Sequence, residues 1–270
     1  MKKFAVFNFL LIFITLITAL VVSPTLKADS ENKLSPELFR SMAFADQPLD
    51  LLLKYVGEGV ILSRHSAWAS LANAVSYKNA GSNAAAVAEL QEILKTQNLP
   101  GRIALYCWNE LRVLGINPGL AESTEILGVV VELKSAGSML AAAYKNGAAR
   151  HLNLNGRGEA TIIVQDTFNE KVATICQQII DDALPLISRS SPSFPPHENK
   201  NNHVLICLLT PSGVLASSHT IMSLTEETNA ASLVFNRSSQ LLGALLEAKK
   251  ATTDNALQPV PLPVTAAIEE

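Results

Sequence analysis

Nowhere does this chain of 270 residues concentrate Lys or Arg, and that absence excludes a first class of function. Non-specific nucleic-acid binding rests on clustered cations that neutralise phosphates, whereas here 21 basic residues are scattered against 24 acidic ones. Cysteine is scarce as well. Cys107, Cys176 and Cys207 form no C-x-x-C pair, have no histidine at metal-ligand spacing, and as an odd number leave one thiol over. Each stands in an apolar stretch, such as Ala104-Leu105-Tyr106-Cys107 or Leu205-Ile206-Cys207-Leu208. The expectation is therefore three small buried hydrophobes rather than a disulfide framework or a zinc site. The G-x-S-x-G, S-x-x-K and cysteine-flanking signatures of nucleophilic enzymes are missing too. Gly156-Arg157-Gly158 lacks the third glycine and the helix N-terminus that a phosphate loop needs, so it reads as a β-turn. Asp181-Asp182 and Glu226-Glu227 are adjacent pairs, which point about 100° apart on a helix and cannot share a reacting atom. They read as solvated surface.

What the chain does contain begins at its first residues. Lys2 and Lys3 give a positive start, residues 4–22 are apolar apart from Asn8, Thr15 and Thr18, and Ser23-Pro24-Thr25-Leu26-Lys27-Ala28 follows. Pro24 stops the helix. This predicts a secretory signal over residues 1–28, or an uncleaved membrane anchor, with the rest of the chain on the outer side in either case. Ala28 suits a cleavage site, while Leu26 is larger than the small residue such sites prefer. The expected location is the periplasm or the outer face of the cytoplasmic membrane, or secretion, and membrane contact is expected only through residues 4–22 if they are retained. Removing residues 1–28 takes three of the 21 bases and none of the 24 acids, which leaves 18 against 24 and a net charge of −6.

Hydrophobic periodicity divides the remainder. After a tether at 29–34, residues 35–120 read as a helical subdomain: Ser35-Pro36 is a helix start, a short helix fits 48–56, and Gly57 and Gly59 end it. Residues 67–75 are weakly helical, 83–95 strongly so, and Pro100 opens a helix whose stripe is Ile103, Cys107, Leu111 and Leu114. The last two form a helical hairpin with no second copy at a fixed period. Residues 121–247 read as an α+β domain. Strands at 125–133, 139–144, 149–154 and 159–164 are joined by turns, one at Lys145-Asn146-Gly147 and one at Asn155-Gly156-Arg157-Gly158, so they form an antiparallel meander. A helix follows at 168–186, a Ser/Pro/Asn-rich loop at 188–202, a hairpin of 203–209 with 214–218 around Thr210-Pro211-Ser212-Gly213, and a helix at 226–247. Residues 248–270 read as a disordered tail containing Pro259-Val260-Pro261-Leu262-Pro263-Val264. The predicted class is α+β: a mostly antiparallel sheet with helices on one face, preceded by the helical subdomain.

For chemistry, the sequence offers Cys107 or a serine with one of His65, His151, His197, His203 and His219, but no recognisable constellation. His197 and His203 bracket a loop and have no third metal ligand. Trp108 reads as packing between the helical half and the sheet, with a ligand platform as the other reading. Trp108-Asn109-x-Leu111-Arg112-x-Leu114-Gly115, Leu127-Gly128-Val129-Val130-Val131-Glu132, and Ala142-Ala143-Tyr144-x-x-Gly147-x-Ala149-Arg150 followed by Asn153 together resemble a set of uncharacterised bacterial proteins in which a helix precedes a strand meander. The resemblance covers residues 105–164 and implies bacterial origin and the placing of the meander, with no activity attached. The expectation is thus an exported bacterial envelope protein with a non-catalytic domain that binds an unknown protein partner or itself, and no nucleic acid. No catalytic, cofactor-binding or metal residue is assigned, and no cofactor is expected. The alternative is a hydrolase or transferase of unfamiliar type using Cys107 or a serine with a histidine.

Overall fold

A computed structural model describes residues 40–41, 43–45, 67–134, 138–154, 160–165, 169–193, 201–225 and 229–256. The export segment, the tether, the helix start at Ser35-Pro36, the helix expected at 48–56, the 155–158 turn, His65, His197 and the proline-containing end of the tail lie outside them. Helices α1 (Ala67–Asn79), α2 (Asn83–Leu94) and α3 (Gly101–Val113) come first. α2 buries Ala86, Leu90 and Ile93, and α3 buries Ile103, Cys107 and Leu111 among others, the apolar stripes that their spacing predicts. Pro100 stands at the N-cap of α3, where its carbonyl accepts from the Ile103 and Ala104 amides at 2.8 and 3.1 Å. Gly101 then lets the helix start touch the sheet. Its amide donates to the Lys145 carbonyl at 2.9 Å, and a Cβ there would come within 2.3 Å of the Leu127 carbonyl oxygen.

Seven strands follow: β1 (Gly128–Lys134), β2 (Ser138–Tyr144), β3 (Ala149–Leu154), β4 (Ala160–Gln165), β5 (Ser191–Pro192), β6 (His203–Thr210) and β7 (Gly213–Thr220). They form one antiparallel sheet in the order β4-β3-β2-β1-β6-β7-β5. The β2–β3 turn has Asn146 at φ 70° and Gly147 at φ 86°, the left-handed region that Asn and Gly tolerate best. Asn146 also donates its side-chain amide to the Leu99 carbonyl. Two helices complete the chain, α4 (Glu170–Ala183) and α5 (Ala230–Ala256). Each starts at an asparagine cap: Asn169 Oδ1 accepts from the Val172 amide at 3.1 Å and Asn229 Oδ1 from the Ala231 amide at 3.0 Å. α4 buries Val172, Ile175, Cys176, Ile179, Ile180 and Ala183, the stripe its sequence predicts.

The class is α+β, with one correction: helices cover both faces of the sheet, not one. Register puts Val130, Ala142 and Cys207 on the side of α1–α3, and Val131, Ala141, Ile163 and Ile206 on the side of α4 and α5. β1 and β2 are buried along nearly their whole length, and such unbroken apolar runs require cover on both sides. The N-terminal helices therefore share a core with the sheet. Three boundaries also move. α5 continues to Ala256, where a tail from 248 is expected. The expected loop at 188–202 holds the end of a 3₁₀ helix, Leu184–Arg189, and strand β5, which pairs with β7. The second strand of the last hairpin runs to Thr220 rather than 218. Among the described residues no helix is long and apolar enough to cross a membrane.

Candidate functional site

The nucleophile candidates separate once the register is known. Cys107 belongs to the core between α1–α3 and the sheet, while His151 stands opposite Ala141 and Ile163 on the other face. The sheet lies between them. All three cysteines are free and buried, as their apolar settings predict. Burial pushes the Cys107 thiol far up, and those of Cys176 and Cys207 up to about 12. They are protonated at neutral pH and poor nucleophiles. His151 is 1% exposed, burial pulls its value down to about 4, and its Nδ1 has no partner among the described residues. It is a neutral core histidine. His203 Nδ1 lies 3.0 Å from the Asn201 carbonyl at the start of β6.

One Ser–His pair does form. Ser217 Oγ lies 3.0 Å from His219 Nε2, because alternate residues of a strand share a face. Both are half-buried on the α4–α5 side of β7. Burial holds His219 below its ordinary value, so it is neutral at pH 7 and can accept a hydroxyl proton. The β5–β7 register places Ser190 beside Ser217, and the Ser190 hydroxyl has no partner among the described residues. No carboxylate orients His219 among the described residues, so the pair supplies a nucleophile and a base without the third group of a triad. A strand that ends at Ser218, as expected from the sequence, leaves His219 off it; β7 continues to Thr220. Extending the alternation by two residues would have put the pair on one face.

A denser polar constellation lies on the opposite face, and Asn109, Arg112, Glu132 and Tyr144 in it belong to the motifs quoted above. Glu132 receives two hydrogen bonds from Arg40, Nε at 2.9 Å and Nη2 at 2.8 Å, and the Arg40 guanidinium lies 4.9 Å from the Phe44 ring centre. Tyr144 donates its hydroxyl to the Ala43 carbonyl at 2.8 Å. Asn109 donates to the Ala45 carbonyl at 2.8 Å, and Arg112 bridges Asn109 Oδ1 at 2.6 Å and the Pro211 carbonyl. These groups pin Arg40, Ala43 and Ala45 to α3 and the sheet. The recess between them, lined by Ala45, Leu105, Asn109, Arg112, Thr210 and Val214, has a volume of about 20 Å³, room for about one water molecule. Trp108 packs partly buried against this core, as expected. Trp68 and Tyr106 carry a second cation, each ring centre 5.8 Å from the Arg102 guanidinium.

Among the described residues no group of three His, Cys, Asp or Glu side chains is placed to hold a metal ion. Asp181 accepts from Gln177 at 2.9 Å and Asp182 from Arg237 at 3.4 Å, which makes the first acidic pair helix surface. No family model matches the chain, and neither a curated protein nor a solved structure matches it.

Proposed function

We propose that the chain is an exported bacterial envelope protein whose α+β domain binds protein surfaces without catalysis. The supporting observation is a group of exposed apolar side chains at one end of the α4–α5 layer: Leu184, Met222 and Leu233 are 51%, 77% and 41% exposed. Leu184 directly follows α4 and Leu233 lies in the first turn of α5, and the Asp182–Arg237 contact brings those two helix ends together. Met222 belongs to the 3₁₀ helix Ile221–Thr225, which packs on α5. Clustered exposed apolar side chains mark interaction sites more often than scattered ones do. Export rests on the positive, apolar and small-residue order of residues 1–28.

A photo-reactive residue in place of Leu233, activated in living cells, should give a discrete adduct that the same probe in place of the exposed Glu92 on α2 does not. Fractionation should place the chain in the envelope with Asp29 at its N-terminus, or membrane-bound with Lys2 and Lys3 retained. Equal labelling at both sites, or an intact chain in the cytoplasm, would sink the proposal. The second reading, a hydrolase or transferase, rests on the Ser217–His219 contact. A fluorophosphonate probe that labels the native chain and fails on Ser217→Ala would favour it.

A further inference from the structure

We infer that the recess beside Arg112 binds a single small anion of halide size. The arginines of this chain are not all held alike. Arg40 faces Glu132 at 2.8 Å and Arg237 faces Asp182 at 3.4 Å, so each has a carboxylate against its charge. Arg112 is fastened to neutral oxygens instead, the Pro211 carbonyl and Asn109 Oδ1, and among the described residues no carboxylate pairs with it. The one acid of α3, Glu110, is bound to Lys78 at 2.6 Å. Arg112 is also half-buried, and burial pulls its guanidinium below the ordinary value with no opposite charge to offset the shift. A cation drawn partly out of water without a counter-charge is costly, and a bound anion offsets that cost.

Charge and volume together name the ligand. A guanidinium has more N–H donors than the two bonds to Pro211 and Asn109 use, so Arg112 can donate to a further acceptor. The recess it lines has a volume of about 20 Å³, which admits a body the size of one water molecule. A halide ion is close to that size, whereas phosphate, sulfate or a carboxylate-bearing ligand is too large. Leu105, Leu209 and Val214 form apolar walls, and the low dielectric they provide strengthens the attraction between ion and guanidinium. A halide bound there ties α3 to the β6–β7 turn at Pro211 and to Ala45, whose carbonyl Asn109 holds at 2.8 Å.

The site lies across the sheet from Leu233 and does not depend on protein binding. Urea unfolding of the purified full chain, with chloride exchanged for the bulkier gluconate at constant ionic strength, should show a midpoint that rises with chloride. Once the site begins to fill, each tenfold rise in chloride should lower the unfolding constant by up to about tenfold. Arg112→Gln removes the charge and should flatten that dependence. Arg237→Gln, which removes a cation paired with Asp182, should preserve it. A second measurement needs no variant: crystals grown in bromide should give an anomalous diffraction peak in the recess within reach of Arg112. A midpoint indifferent to chloride, a chloride dependence that survives in Arg112→Gln, or a recess that holds water in the presence of bromide overturns the inference.

Discussion

The two faces of the sheet are held by different means. On the α4–α5 side the cover comes from long helices, 14 and 27 residues, whose aliphatic stripes meet Val131, Ile206 and Leu208. On the other side α1–α3 have 12 or 13 residues each, and directional bonds fix the extra segment at 40–45: the Arg40–Glu132 pair, the Tyr144 hydroxyl and the Asn109 amide. A long amphipathic stripe positions itself by area alone, because each fully buried aliphatic side chain contributes about 1.5–3 kcal/mol. Ala43, Phe44 and Ala45 are buried as well, and there hydrogen bonds add direction to the burial. Asn109 and Arg112 of the Trp-Asn-x-Leu-Arg motif, and Tyr144, thus act as fastenings.

The contrast can be broken most forcefully from the helical side. Leu241 is fully buried in α5, and Leu241→Ala should cost about 2–5 kcal/mol, read as a fall in the urea midpoint with the whole sheet unfolding together. Next in size is the acid response of His151. Burial holds its folded value at about 4 against 6.5, so between those values the unfolded chain binds the extra proton. Stability is then complete above pH 6.5 and declines as the pH falls towards 4, by about 3 kcal/mol in total. His219 adds a weaker slope of the same sign. Urea titrations across this range should therefore show most of the slope disappearing in His151→Leu, and an unchanged slope would mean that another group carries it. The smallest effect is expected on the pinned face. Tyr144→Phe removes one hydrogen bond and should cost about 1 kcal/mol, with faster proteolysis confined to the neighbourhood of residue 43. A cost equal to that of Leu241→Ala would erase the distinction between the faces.

Much of the fold was legible because it depends on local periodicity. The α4 stripe, the helical hairpin and the turn at Asn146-Gly147 are set by residues within a few positions of one another. The position of α1–α3 was not so readily seen, although the signal was present: Val129-Val130-Val131 and Leu140-Ala141-Ala142-Ala143 have no polar side to show to water. The run through Ala256 was hidden because Thr252, Thr253, Asp254 and Asn255 are poor helix formers, and α5 carries them as an extension of a helix stabilised elsewhere. For the site, the separation of Cys107 from His151 depends on which face each strand residue takes relative to a distant helix. No spacing along the chain encodes that. The Ser217–His219 contact needed only the correct end of β7.

The fastenings at 40–45 also impose a timetable. Tyr144 and Ala43 are 101 residues apart, and Arg40 and Glu132 are 92 apart, whereas neighbouring strands of the β1–β4 meander are separated by 3, 4 and 5 residues. A ribosome adding roughly 5–20 residues per second delivers the partners of residues 40–45 on the order of 5–20 s after the segment itself. The meander can close as it emerges, since its contacts are local. Phe44 and its neighbours must wait for it. For that interval they are accessible to other proteins, and the pinned face is completed only when the later strands reach a segment made before them.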